Sequence, residues 1–356
     1  MPSKRLKELR ITSRVITDNM DEMGLDFVDD FQSFLAGFNQ LRRVVLDRHF
    51  ATGEVITVLG TLEHVEYLEI IGTLYQRTLE TSMTETRLAT FPALQELIIT
   101  LNSRNIPFFQ DSQNITSPMF STFKVIYNGN SAAHLRDLFA IIASRWPQLR
   151  ILHIHPPIGF YQFIEEDAKM MDLYQKPERI SRIARSFITG EIIKPLLDLT
   201  LLEELAIEWP YPARLDKRSL KDMVAFWPNL RCLYLTPIPF VILPERPFIH
   251  FEDLAIFSRS KSLEKLAMFC DATYPRPTHS RTEVEVDVWR LNTSTVDPSR
   301  CTSLRSFDPG YSWINHPHVV VSRLKQIFPN ANLPRWRIED RQSRWGEVAR
   351  RVWRTL

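Results

Sequence analysis

One six-residue pattern constrains this chain more than any other property. An apolar residue is followed by two variable ones, a second apolar residue, one variable residue and a third apolar residue. It reads as Leu6-Leu9-Ile11, Leu41-Val44-Leu46, Val65-Leu68-Ile70 and Leu94-Leu97-Ile99. It continues as Phe120-Phe123-Val125, Leu149-Leu152-Ile154, Leu202-Leu205-Ile207, Leu230-Leu233-Leu235 and Leu263-Leu266-Met268. Weaker copies stand at Leu304-Phe307 and Leu333-Trp336-Ile338. Starts fall mostly 24 to 35 residues apart, with wider gaps of 53 and 41. In a short strand, residues two apart share a face, so the second and third apolar positions point inward. The first precedes the strand and closes the turn beneath it. A unit this short buries its apolar face only by stacking on its neighbours.

Helical periodicity fills several of the gaps. Val28-Phe31-Phe34-Leu35-Phe38, Leu135-Leu138-Phe139-Ile142, Leu220-Met223-Val224-Trp227 and Val319-Val320-Arg323-Leu324-Ile327 each carry an apolar helical stripe. A second regularity follows the helices: Phe91-Pro92-Ala93-Leu94, Trp146-Pro147-Gln148-Leu149 and Trp227-Pro228-Asn229-Leu230, with Phe328-Pro329 as a looser copy. Proline stops the helix and pushes the preceding residue toward extended geometry, while the aromatic plugs the helix end. Trp146 and Trp227 are therefore expected in the core. The period sits at or just above the ~20–29 residues of a leucine-rich repeat. The expected architecture is an α/β leucine-rich-repeat solenoid, a curved horseshoe with parallel strands on the concave face and helices outside. The array is expected over residues 1–340 with an irregular insert at about 156–200, and residues 341–356 as a basic capping helix or tail.

The repeats and their aromatic-proline turns resemble the leucine-rich-repeat region of fungal F-box proteins of the basidiomycete type. Units in that family end in W/F-P-x-L-x-x-L-x-L, and the resemblance covers roughly residues 6–340. It implies a substrate-recognition subunit of a cullin–RING (SCF-type) ubiquitin ligase, whose F-box binds a Skp adaptor. An F-box is a helical segment ahead of the repeats, usually opening with L-P-x-E-[IL]. This chain enters a repeat at Leu6, so the F-box is expected to lie on a missing exon or to have been lost. Adaptor binding is expected only if an F-box exists upstream. The alternative is an orphan leucine-rich-repeat scaffold with no ubiquitin link.

Composition removes other classes. The chain has 356 residues and 10 glycines, and no two glycines are closer than Gly53 and Gly60. The phosphate-binding motifs GxGxxG and GxxxxGK and the hydrolase motif GxSxG, which need closer glycines, are therefore absent. Three cysteines, Cys232, Cys270 and Cys301, with no CxxC, argue against a disulfide framework or a cysteine zinc site. The N-terminal MPSKRLKELRITSR lacks the apolar run of a signal peptide, and no apolar stretch approaches the ~20 residues of a membrane span. The net charge of +2 directs the chain to neither nucleic acid nor membrane. A cytoplasmic or nuclear monomer that is not secreted, needs no cofactor and performs no catalysis is the expectation.

Four constellations bear on chemistry. His153 and His155 share an outward strand face, where they form either the start of a metal site or an exposed polar pair; zinc needs three or four ligands. Cys232 lies at an outward strand position but would need a histidine base to serve as a nucleophile. Glu165-Glu166-Asp167, with Arg179, Arg182 and Arg185 beyond, reads as a solvated charge run more readily than as an acid–base pair. The arginine-rich C-terminus, with Trp336, Trp345 and Trp353 interleaved, suits a cap, a partner contact, or a nucleic-acid or membrane surface.

The loops that follow the strands are the most suggestive surface. Phe160, Tyr161, Trp209, Tyr211, Phe240, Tyr274, Tyr311 and Trp313 occupy them, many beside prolines. Aromatic side chains on stiff loops lose little entropy on binding and dominate interface hot spots. The same loops could instead tuck in and cap the edge of the core. Outward strand positions such as Glu8, Arg43, Glu96, Lys124, Tyr234 and Lys265 mix both charges. Protein binding without catalysis, to a partner of unknown identity, is the functional expectation.

Overall fold

The computed structural model describes residues 6–12, 31, 33–51, 53–73, 91–103, 106, 117–129, 131–157, 186–237, 248–273, 303–310, 312–333 and 348. The chain divides into two compact units, Met1–Phe160 and Tyr161–Leu356. Both are α/β with parallel strands.

Among the described residues the first unit carries six strands: β1 (Glu8–Ile11), β2 (Arg43–Asp47), β3 (Tyr67–Thr73), β4 (Glu96–Asn102), β5 (Thr122–Asn128) and β6 (Ile151–His155). They pair in chain order, all parallel. Register follows the repeat, because equivalent apolar positions are direct partners: Val44, Leu68, Leu97, Phe123 and Leu152 form one row. Every member of that row is 0 % exposed. A one-residue slip would turn each row to solvent, so burial itself fixes the register. Helices α1 (Gly53–Thr61) and α2 (Ala132–Arg145) fall between strands. In α2, Leu135, Leu138, Phe139 and Ile142 make the buried stripe that their spacing predicts.

The second unit repeats the scheme with β8 (Glu204–Ile207), β10 (Cys232–Leu235), β11 (Lys265–Met268) and β13 (Ser306–Asp308). Leu205, Leu233, Leu266 and Phe307 form its inner row. It adds two short parallel ribbons, β7 (Ile188–Thr189) with β9 (Ala213–Arg214), and β12 (Asp271–Ala272) with β14 (Trp313–Ile314). Among the described residues its helices are α3 (Gly190–Ile193), α4 (Lys217–Phe226) and α5 (Pro317–Ile327), with 3-10 helices at Lys194–Asp198 and Phe251–Arg259.

A backbone device recurs at the turn into the strands. The carbonyl after the first apolar position accepts two successive N–H groups of the next unit. Lys7 O takes Arg42 and Arg43 at 2.9 and 3.0 Å, and Arg231 O takes Glu264 and Lys265 at 2.8 and 2.9 Å. The same arrangement joins Arg42 to Glu66 and Tyr67, Gln95 to Ser121 and Thr122, and Glu264 to Arg305 and Ser306. These bonds pair the backbone groups of the turns, which is the condition for stacking loops against each other.

The aromatic-proline turns share one conformation. Trp146, Trp227 and Phe328 end α2, α4 and α5 with φ of −127°, −113° and −133° and ψ of 62°, 68° and 75°. Each N–H closes the last helical turn, and each carbonyl accepts from the residue three positions on. Trp146 and Trp227 are both 1 % exposed. Trp146 packs on Phe120 and Phe123 with centroids 4.8 and 5.0 Å apart. Trp227 uses its indole N–H as well, donating to Leu196 O at 3.0 Å. Of the expected cap at residues 341–356, only Val348 is described, and it is buried.

Candidate protein-binding surfaces

Two surfaces emerge from this scaffold: the outward face of the strands in the first unit, and the loop rim of the second. On the first, alternation sends the variable residues of each repeat outward. Parallel register then lines them up across strands, so that Glu8, Arg43, Tyr67 and Glu96 share one row. The row is cross-linked. Arg43 lies 3.4 Å from Glu8 and 3.9 Å from Glu69, with its guanidinium 3.6 Å from the centre of the Tyr67 ring. Tyr67 donates its hydroxyl to Glu69 at 2.6 Å, and Lys124 reaches Glu96 at 2.7 Å. Burial, then the hydrogen bond to Glu69, pushes the Tyr67 phenol up to about 12. It therefore stays a donor throughout the physiological range.

Toward β6 this face changes character. Ile98, Ile126 and Ile151 sit at outward positions and are partly exposed. The His153 and His155 rings lie beside them with centroids 5.5 Å apart, edge to face. The candidate residues drawn from the sequence did not include these isoleucines. The signal was nonetheless there, since each occupies a variable position of its repeat. Among the described residues no three His, Cys, Asp or Glu side chains gather as a metal site would need. His316 and His318 are likewise only a pair, 5.9 Å apart.

The rim of the second unit is built by its short ribbons. Trp209 follows β8, is 3 % exposed, and donates its indole N–H to Ser186 O at 2.6 Å. Its ring is thus core, held in the geometry of a loop folded over the edge of the unit. Tyr211 is partly exposed against Phe187, with centroids 6.4 Å apart. Phe187 in turn meets Phe248 at 5.9 Å, and Arg214 stacks over Phe248 at 4.3 Å. A cleft of about 970 Å³ opens here, lined by Arg214, Phe248, Lys194, Asp222 and Phe226 among others. Trp313 lies in β14 and is also partly exposed. Phe160, Tyr161, Phe240, Tyr274 and Tyr311 lie outside the described residues.

Polar bonds pin the rim loops to one another. Thr236, at φ +45° and buried, donates its N–H to Ile207 O and accepts from Ala213 N at Oγ1. Left-handed backbone is costly for a β-branched residue, and those two bonds hold it there. Gly310, at φ +55°, lets the Pro237 carbonyl lie against it; a Cβ there would stand 1.4 Å from that oxygen. Ser312 accepts from Cys270 N at 2.7 Å and donates to Pro309 O. Asp271 is buried, its Oδ1 accepting from Thr273 N at 2.9 Å and from the Thr273 hydroxyl at 2.6 Å.

Neither described cysteine has the setting of a nucleophile. Burial first, then the nearby Glu204 charge, pushes the Cys232 thiol up, away from thiolate. Full burial pushes the Cys270 thiol up to about 12. The charge runs at Glu165-Glu166-Asp167 and Arg179–Arg185, and the tryptophans of the C-terminus, lie outside the described residues. No described helix is long and apolar enough to cross a membrane. No known family profile matches the sequence, and no curated protein is significantly similar to it.

Proposed function

We propose that this chain is a non-catalytic protein-binding module, built as a curved leucine-rich-repeat solenoid with strands on the concave face and helices outside. The observation that carries the reading is the register. From β2 to β6 each strand contributes one residue to the inner row, which is fully buried, and one to the outward row of Arg43, Tyr67, Glu96, Thr122 and Ile151, which is exposed or partly exposed. Repetition of that kind gives a broad, rigid surface whose recognition residues vary freely while the fold does not. The proposed contact centres on the loop rim of the second unit, where Tyr211, just before β9, and Trp313, in β14, are partly exposed. By resemblance to the fungal F-box family, the bound protein would be a substrate delivered to an SCF-type ubiquitin ligase.

The test begins with partners recovered by proximity labelling and then purified. Changing Tyr211 and Trp313 together to Ala should weaken a rim-bound partner by roughly a thousandfold, taking ~2 kcal/mol for each hot-spot aromatic. Trp209→Ala serves as the contrast, because its ring is core and its loss should lower thermal stability. Unchanged affinity in a folded double variant removes the rim as the contact. The ligase arm is read separately, by whether a Skp-type adaptor co-purifies with the product of the whole transcript.

A further inference from the structure

Strand β1 opens the parallel run of the first unit, and among the described residues its one strand partner is β2. The bonds to β2 fix which of its backbone groups remain open. Arg42 and Arg43 donate to Lys7 O, so Lys7 faces β2. Backbone polar groups alternate sides along a strand; Leu9 and Ile11 therefore face β2 as well, and Glu8 and Arg10 face away. Among the described residues no strand takes their outward N–H and C=O groups, which leaves an edge of the kind on which another strand adds. The side chains tell the same story. Leu6, Leu9 and Ile11 are partly exposed, whereas Val44 and Leu68, which repeat the position of Leu9, are 0 % exposed.

We infer that this edge is a self-association site, where β1 strands of two copies pair antiparallel about a two-fold axis through Leu9. Around that axis Glu8 stands opposite Arg10 of the second copy, and Arg10 opposite Glu8. These are the residues with open backbone groups, so each pair exchanges both of its N–H···O bonds. The same pairs set opposite charges side by side on the exposed face. Between them Leu9 meets its own counterpart in a non-hydrogen-bonded pair, where Cα atoms approach to about 4.5 Å and side chains are closest. One register thus satisfies backbone, charge and apolar burial together. The adjacent hydrogen-bonding registers place Glu8 against Glu8 or Arg10 against Arg10, and like charges directly opposite are destabilising. Glu8 is already 3.4 Å from Arg43, so in the pair it would bridge two arginines. A two-fold contact of this kind is self-complementary and closed. It departs from the monomer that the sequence alone suggests.

The experiment is sedimentation velocity on the full chain and its charge variants, up to about 100 µM, where a micromolar Kd leaves most copies paired. Glu8→Arg and Arg10→Glu each turn both charge pairs repulsive, and each should weaken dimerisation by roughly tenfold or more. The double swap Glu8→Arg with Arg10→Glu restores opposite charges and should recover most of the affinity. Leu9→Cys should yield an interchain disulfide under mild oxidation, since its counterpart lies within bridging distance. A wild-type chain that stays monomeric overturns the inference. Dimers indifferent to the single changes, or not recovered by the double swap, overturn it equally.

Discussion

Strand β1 of the first unit and strand β13 of the second make an instructive pair. At β1 the repeat is complete, with Leu6, Leu9 and Ile11 in place, yet all three side chains are partly exposed. At β13 the repeat is reduced to Leu304 and Phe307, and these are 1 % and 0 % exposed. The difference lies in what stands alongside. Beyond β13, Asn332 accepts from Phe307 N and donates to Arg305 O, both at 2.9 Å. Phe328 and Leu333, each 1 % exposed, then close over the row, and the Phe307 ring meets Phe251 and Phe328 at 5.8 and 6.3 Å. Among the described residues, β1 has β2 alone as a strand partner, and none of them closes over its inner row in the same way. A repeat motif supplies apolar groups on the correct face; a neighbour supplies their burial, and hence their energy.

Mutations should divide along that line. Trp227→Ala and Phe307→Ala remove fully enclosed rings, and each should cost about 3–5 kcal/mol in denaturant unfolding. A loss below about 1 kcal/mol at Phe307 would erase the distinction between the two edges, because it would leave the covered row no better packed than the open one. Gly310→Ala comes next, on the order of 2–4 kcal/mol, since the new Cβ meets the Pro237 carbonyl at a left-handed backbone position. Its effect should appear in the second unit alone, as lost amide-exchange protection near Thr236 and Ser312.

Leu9→Ala belongs at the small end. A buried Leu→Ala change costs about 2–5 kcal/mol, and at the open edge of β1 it should cost only about 1 kcal/mol, measured at low protein concentration. A full core-sized loss would show that β1 is covered and would also remove the basis for self-pairing.

Asp216→Ala tests a local device of similar size. Asp216 caps α4, accepting from Ser219 N at 2.8 Å and Ser219 Oγ at 2.6 Å. The Ser219 hydroxyl first, then its backbone N–H, holds the carboxyl below its ordinary range. Loss of such a cap costs about 1 kcal/mol. A depressed pKa gives stability that is present above the unfolded value and lost as pH falls through the folded one. Wild type and variant should therefore differ at neutral pH and converge in strongly acidic solution. Calorimetry across that range checks it, and a difference that persists in acid assigns the effect to something other than the carboxylate.

Much of the scaffold is legible in the sequence because its physics is local. The strands from β2 to β6 begin where the apolar spacing places them, since a period of two on a short strand buries alternate residues only one way. The turns at Trp146 and Trp227 were equally readable, as proline limits the backbone before it and a large ring beside it needs enclosure. The rim was legible as aromatic loops but not as a structure. Trp209 and Tyr211 look alike in sequence, standing two residues apart in the same proline-rich loop. One is core and the other partly exposed because Ser186, 23 positions upstream, supplies the carbonyl that draws the indole inward. The partial exposure of Ile98, Ile126 and Ile151 follows from repeat position, because each stands at a variable, outward position of its strand.

By itself, then, the sequence determined the unit: which residues face in, where each strand starts, and how each helix stops. Those outcomes rest on neighbours within a few positions, whose spacing is set by backbone geometry. The tertiary structure alone decided which repeats are enclosed and which lie open, and which rim aromatics are anchors of the core. Burial of Phe307 depends on Asn332 and Phe328, the seat of Trp209 on Ser186, and the approach of Pro237 to Gly310 on a glycine 73 residues away. Such contacts join residues far apart in the chain, and no periodicity encodes them. Strand β1 is the clearest case, because its pattern matches that of buried strands, yet among the described residues only β2 pairs with it and Leu9 stays partly exposed.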